Sequence, residues 1–247
     1  MHQASVGFHC PECTRAAPQR VINPRAMMAS RPIVAMALVA VNLAVFLADI
    51  PSSSDSLSGL GDLAEDGALF GPAVADGDWW RPITAGFVHA GLFHVGFNMF
   101  LLWQLGRMLE PAIKWWGFLV LYVTSLLGGS LLVLILDPDS VTVGASGAVF
   151  GLMAATFVAM RSRGIDPFST GIGPLLVINL LLTFTISGIS IGGHLGGLVA
   201  GAVGGLLMWE WGPRLRGRAA QVAPVAVCGA IAVALYVGCL VVASASA

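Results

Sequence analysis

Apolar stretches follow one another along this chain with little polar sequence between them, and that restricts its fold more than any motif does. They run roughly over 33–50, 91–109, 115–136, 146–160, 172–188, 193–211 and 222–243. About twenty apolar residues span a bilayer as a helix. In lipid, a backbone must satisfy its own hydrogen bonds, which leaves helices or closed barrels. Barrel strands alternate apolar and polar residues over about ten positions. These runs are continuous, so the pattern predicts an all-α, polytopic membrane helical bundle. Charged residues make up 10% of the chain, against about 25% in a soluble domain. A large soluble core is thereby excluded. No cleavable signal peptide is read, because the apolar run from Ile33 has no clear cleavage site before polar sequence.

Charge placement orients the bundle. With seven spans, Arg15, Arg20, Arg25, Arg31, Arg107, Lys114, Arg161, Arg163, Arg214, Arg216 and Arg218 fall on one side. Only Arg81 falls on the other, with Asp49, Asp55, Asp62, Glu65, Asp66, Asp76, Asp78, Asp137 and Asp139. Basic residues near span ends mark the cytoplasmic face. The N-terminus is therefore expected in the cytoplasm and the C-terminus outside. The basic residues are spread over short loops and the net charge is −1, so no nucleic-acid footprint is present.

Three regions follow. Residues 1–31 form a short cytoplasmic arm, and residues 32–211 a six-span core with a long external loop at 51–90. Residues 212–247 add a linker and one further helix. The arm carries Cys10 and Cys13, half of a four-ligand zinc site. No second pair follows, so the reading is a cytosolic thiol pair, with Cys10 and Cys13 as the candidate ligands should a metal bind. Cys228 and Cys239 lie in the last apolar run and read as small apolar fillers. In the loop, "PSSSDSLSGLGDLAEDG" reads as flexible. "WWRPITAGFVHAGLFH" reads as an interfacial hairpin, with Trp79 as an anchor and Arg81 pairing with a carboxylate or holding backbone carbonyls.

Polar residues inside apolar spans are costly unless paired, and this chain gathers several on its external side. His94 and Asn98 are four apart, on one helical face, and His89 precedes them. They are either interhelical glue or donors aimed at a developing negative charge. Ser146, in "VTVGASGAVFG", is either a small packing residue or a nucleophile. A helix from Ser146 to Arg161 rises about 22 Å through a core about 30 Å thick. The serine then sits about 8 Å below the outer edge. Non-helical backbone at such depth needs surrounding protein or a wet cavity. Its helix N-terminus favours an anion.

His194 supplies the missing base. Gly193, Gly197, Gly201 and Gly205 recur every four residues, and Gly147 and Gly151 repeat the spacing. If these small-residue faces meet, His194 and Ser146 enter at similar depth. Glu110, Asp166 and Glu210 lie near the cytoplasmic ends, and Asp137 and Asp139 precede the serine in a loop. The constellation is a dyad without an acidic third member, and the charge pattern does not show what fixes the histidine tautomer.

These residues resemble the rhomboid intramembrane serine proteases, in a bacterial, seven-span form. The similarity rests on "WWRPITAGFVHAGLFHVGFNMF", "WQLGRMLE", "GASGAVFG" and "GGHLGGLVAG". It implies a rhomboid-like six-helix core plus one C-terminal helix. The family's Gly-x-Ser-Gly motif matches Gly144, Ala145, Ser146 and Gly147, and its catalytic histidine with spaced glycines matches His194, Gly197 and Gly201. The resemblance makes Ser146 and His194 catalytic, and makes His94 and Asn98 oxyanion-stabilising. His89 belongs to the same motif. Trp80, Arg81 and Glu110 match structural positions. Phe150 stands where some members carry a tyrosine that packs on the histidine. The implied reaction is hydrolysis of transmembrane protein substrates in the bilayer, opening to the external side and requiring no cofactor. An inactive rhomboid-like binding protein and a transporter are the competing readings.

Overall fold

A computed structural model describes residues 2–3, 8–9, 31–50 and 61–246. They fall into two units, Met1–Arg31 and Pro32–Ala247. In the first, β1 (His2–Gln3) and β2 (Phe8–His9) pair antiparallel, with His2 opposite His9. The Cys10 and Cys13 pair lies outside the described residues.

The second unit is an all-α membrane helical bundle. It opens with α1 (Ile33–Ala48), followed by the short helices α2 (Asp62–Gly67), α3 (Gly71–Ala75) and α4 (Arg81–Thr84). Then come α5 (Leu92–Leu136), α6 (Ser146–Arg161), α7 (Ile172–Thr185), α8 (Ile191–Leu206) and α9 (Ala219–Ala245). Leu92–Leu136, Ile191–Arg214 and Ala219–Ala245 are long and apolar enough to cross a membrane. α1, α6 and α7 are apolar but shorter. The outward-facing apolar side chains, such as Phe93, Leu181 and Val233, suit a hydrocarbon solvent.

The expected cytoplasmic loop between residues 109 and 115 is tighter than the sequence suggests. α5 runs through Pro111 and breaks at Lys114 alone, where φ is 66° and ψ is 165°. The chain returns there: the Ser130 hydroxyl donates to the Pro82 carbonyl at 2.8 Å, beside the segment that leads into α5. Glu110 faces α1 at this turn. Its buried carboxylate accepts the backbone N–H of Val34 and of Ala35, each at 3.0 Å. A helix start has unpaired N–H groups and a positive dipole end, and a carboxylate answers both.

α8 is wedged between α6 and the second half of α5 along glycine. A β-carbon at Gly197 would meet the Gly147 backbone, and one at Gly201 the Gly151 backbone. On the other flank, a β-carbon at Gly129 would lie 2.6 Å from the Gly193 carbonyl oxygen. The two glycine stripes meet, backbone against backbone, as small-residue faces permit in membranes.

The loop expected on the external side is a built layer over 61–91. The Asp49 carboxylate accepts the N–H groups of Gly61 and Ala64 at the start of α2, at 3.2 and 3.1 Å. Arg81 does both things expected of it: it donates to Asp78 at 2.7 Å and to the Glu65 and Ala68 carbonyls at 2.8 and 2.9 Å. Leu69 and Thr142 exchange backbone hydrogen bonds of 2.9 Å, which ties this layer to the strand-like approach to Ser146. α9 closes the far side. Cys239 and Ala243 pack into one cluster with Leu69, Val74 and Ala85, and the Tyr236 hydroxyl donates to the Trp79 carbonyl at 3.1 Å.

Candidate active site

Ser146 is the first residue of α6, and the backbone before it is shaped to put it there. Gly144 adopts a φ of 116°, in the region that favours glycine. A β-carbon at 144 would also lie 2.6 Å from the His94 ring, so no side chain fits. Gly144 N–H donates to the Ala85 carbonyl at 2.8 Å, and Ala145 N–H donates to His89 Nε2 at 3.3 Å. His89 is buried, and burial with the adjacent His94 pushes it down to about 3. It therefore stays neutral at physiological pH, as an acceptor to Ala145 must. These bonds hold the turn and leave the N–H groups of the first helical residues without intrahelical partners.

His194 sits in the first turn of α8, which Ser190 caps by accepting the Gly193 N–H at 3.1 Å. The glycine seam brings that turn against the start of α6. His194 Nε2 lies 2.9 Å from Ser146 Oγ, within reach of proton transfer. Phe150, one turn after the serine, stacks on the imidazole with centroids 4.1 Å apart and planes 20° apart. The stacking orients the ring without offering it a hydroxyl.

A cavity of about 980 Å³ opens over this pair, lined among others by Ser146, His194, His94, Asn98, Phe150 and Asn179. One Asn98 amide hydrogen donates to the His94 carbonyl at 3.1 Å. Its second amide hydrogen remains for a ligand. His89 lies behind His94, ring edge to ring at 5.1 Å. Gly147, Gly197 and Gly201 form the seam beneath. Arg81 and Glu110 are not in the cavity: the first braces the 61–91 layer and the second the opposite turn of α5.

Two residues at the site, Asn179 and Thr183, are not among the sequence candidates. Thr183 Oγ1 lies 2.7 Å from His194 Nδ1, on the ring edge away from Ser146. A signal existed. Asn179 and Thr183 are four apart in "IGPLLVINLLLTFT", the spacing that drew attention to His94 and Asn98. A threonine in an apolar helix is common enough, through bonding to its own backbone, to pass as filler.

A family model described as the Rhomboid domain matches residues 76–211, more than half of the chain. The chain belongs to the rhomboid family. Among relatives, Rhomboid protease GluP of Bacillus subtilis is 33% identical over 162 residues, covering 64% of this chain and 31% of that protein. Rhomboid-like protease 1 of Toxoplasma gondii is 37% identical over 155 residues, covering 59% of this chain and 52% of that one. Inactive rhomboid-related protein 2 of Caenorhabditis elegans is 29% identical over 183 residues, covering 69% and 52%. The chain thus spans between about a third and about half the length of these relatives. The rhomboid match encloses every residue of the cavity named above, together with the 61–91 layer from Asp76 onward.

Proposed function

We propose that this rhomboid-family protein is an intramembrane serine endopeptidase that hydrolyses peptide bonds in or near transmembrane segments of membrane proteins. The observation that carries the reading is the 2.9 Å approach of Ser146 Oγ to His194 Nε2 inside a cavity that also holds Asn98 and His94. His194 takes the serine proton as Oγ attacks the substrate carbonyl, and a tetrahedral oxyanion forms. The Ser146 N–H at the helix start, the free Asn98 amide hydrogen and His94 stabilise that oxyanion. His194 then protonates the leaving amine, which leaves an acyl-enzyme on Ser146. Water, activated by the same imidazole, hydrolyses the ester and restores the serine.

A substrate helix hides its carbonyls in its own ladder and has to unwind locally to present one. Substrates with small or helix-weakening residues near their external end fit that requirement. The bundle is read as seven spans in a cell membrane, a six-helix core of 32–211 plus α9, with the N-terminus cytoplasmic and the C-terminus external. The basic residues that cluster at one set of span ends support this orientation.

The second reading is an inactive rhomboid-like binding protein, favoured by the similarity to the inactive nematode relative. A serine-reactive fluorophosphonate separates the two. The endopeptidase labels on Ser146, and labelling and cleavage of a single-span substrate both vanish in Ser146→Ala and His194→Ala. A folded wild type that neither labels nor cleaves would leave the binding protein standing.

A further inference from the structure

The proposed dyad uses one ring nitrogen of His194, and the other is held as closely. Nε2 faces Ser146 Oγ at 2.9 Å and Nδ1 faces Thr183 Oγ1 at 2.7 Å. Thr183 Oγ1 also lies 2.7 Å from the Asn179 carbonyl oxygen. Two oxygens at that distance need a proton between them, and only the threonine hydroxyl carries one. Donation to the carbonyl four residues back is the ordinary habit of a helical threonine. With its proton committed, Oγ1 offers the imidazole lone pairs alone. Nδ1 must then be the protonated nitrogen, and Nε2 carries the lone pair.

That assignment gives His194 the tautomer a general base needs toward Ser146. We infer that Thr183 is a positioning residue, which locks His194 in the Nδ1–H form through the Asn179 carbonyl and so aims the Nε2 lone pair at Ser146. It takes the place that a carboxylate fills in a Ser-His-Asp triad, without a buried negative charge to solvate. The inference rests on the dyad reading for its catalytic consequence, though not for the tautomer itself.

The packing of α7 supports the assignment. Its buried residues are Ile172, Gly173, Asn179 and Thr183, so the two in its outer half are polar. A helix held only by apolar packing would bury leucine there. Instead Leu181 is exposed, Asn179 lines the cavity that holds His194, and Thr183 meets the His194 ring. Asn179 closes its own side chain onto the Leu175 carbonyl at 2.8 Å, which leaves its backbone carbonyl to receive Thr183.

The test uses full-length protein in detergent with 15N-labelled imidazoles, the His194 signals being assigned by their loss in His194→Gln. Wild type is expected to show a neutral ring protonated at Nδ1 and bare at Nε2. Thr183→Val, which keeps the shape, should populate the Nε2–H form. It should also lower kcat about ten- to a hundredfold with KM unchanged. Thr183→Ser should restore both. A wild-type ring protonated at Nε2, or a tautomer unchanged in folded Thr183→Val, overturns the inference. So does a Thr183→Ser protein that folds but keeps the valine phenotype. Should Thr183→Val fail to fold, the wild-type and serine spectra decide alone. A wild type with Nδ1–H that neither cleaves nor labels would refute the dyad reading and leave the tautomer assignment standing.

Discussion

A methyl group added at position 197 tests the seam that joins serine to histidine. The β-carbon of Gly197→Ala would lie 2.6 Å from the Gly147 carbonyl carbon and 2.9 Å from its Cα, with the carbonyl oxygen closer still. Ordinary contact begins at 3.4 Å. Every atom in the way is backbone, so no rotamer change relieves the clash. α6 and α8 must part by roughly an ångström. Ser146 is the residue before Gly147, and His194 stands one turn ahead of Gly197. The 2.9 Å approach between them therefore opens beyond hydrogen-bond reach, which ends at about 3.2 Å. Misplacement on this scale costs about a hundredfold in rate, and overpacking of this kind costs about 1–3 kcal/mol in stability. Thermal unfolding and cleavage of a single-span substrate are measured on the same preparation. Gly96→Ala is the control, because nothing lies within 4 Å of its β-carbon. Unchanged Tm and unchanged cleavage in Gly197→Ala, alongside an unchanged control, would refute the claim that backbone contact at this seam sets the distance.

Further outcomes follow from the same geometry. Asn98→Ala should lower kcat by about a hundred- to a thousandfold with little change in KM, as loss of an oxyanion donor does; steady-state kinetics that show a KM effect alone would remove it from that role. His89→Phe deletes the acceptor of the Ala145 N–H, leaving a buried donor unpaired at about 1–3 kcal/mol, readable as a lowered Tm. His89 also gives stability a pH dependence. Its value falls from 6.5 to about 3 on folding, so the unfolded chain binds the proton first, and wild-type Tm should decline as pH drops from 6.5 towards 3. That part of the decline should be absent in His89→Phe. Glu110→Ala leaves the N–H groups of Val34 and Ala35 without their carboxylate, and thermal unfolding should show about 1–3 kcal/mol of lost stability.

The bundle was legible because membrane helices satisfy their backbone within each segment. Local composition therefore marks where they run, and "IGGHLGGLVAG" and "GASGAVFG" announce their own close packing. Ser146, His194, His94 and Asn98 could be singled out for a related reason: polar side chains in such segments are conspicuous by their cost. The sequence leaves Arg81 two uses, a carboxylate or backbone carbonyls, and the structure shows it holding both. The turn at Lys114 was placed but drawn too long, because a single residue's φ leaves no trace in hydropathy.

What the chain alone determined is the set of apolar helices and the few polar groups they carry. The tertiary structure decided which of those groups touch. Glu110 reaches α1 across 75 and 76 residues of sequence, and Thr183 finds the back of His194 from a neighbouring helix. The physical reason is that lipid tails are as apolar as leucine, so burial in this solvent does not select one helix neighbour over another. Close backbone approach and hydrogen bonds between segments make that selection, and both are properties of three-dimensional shape.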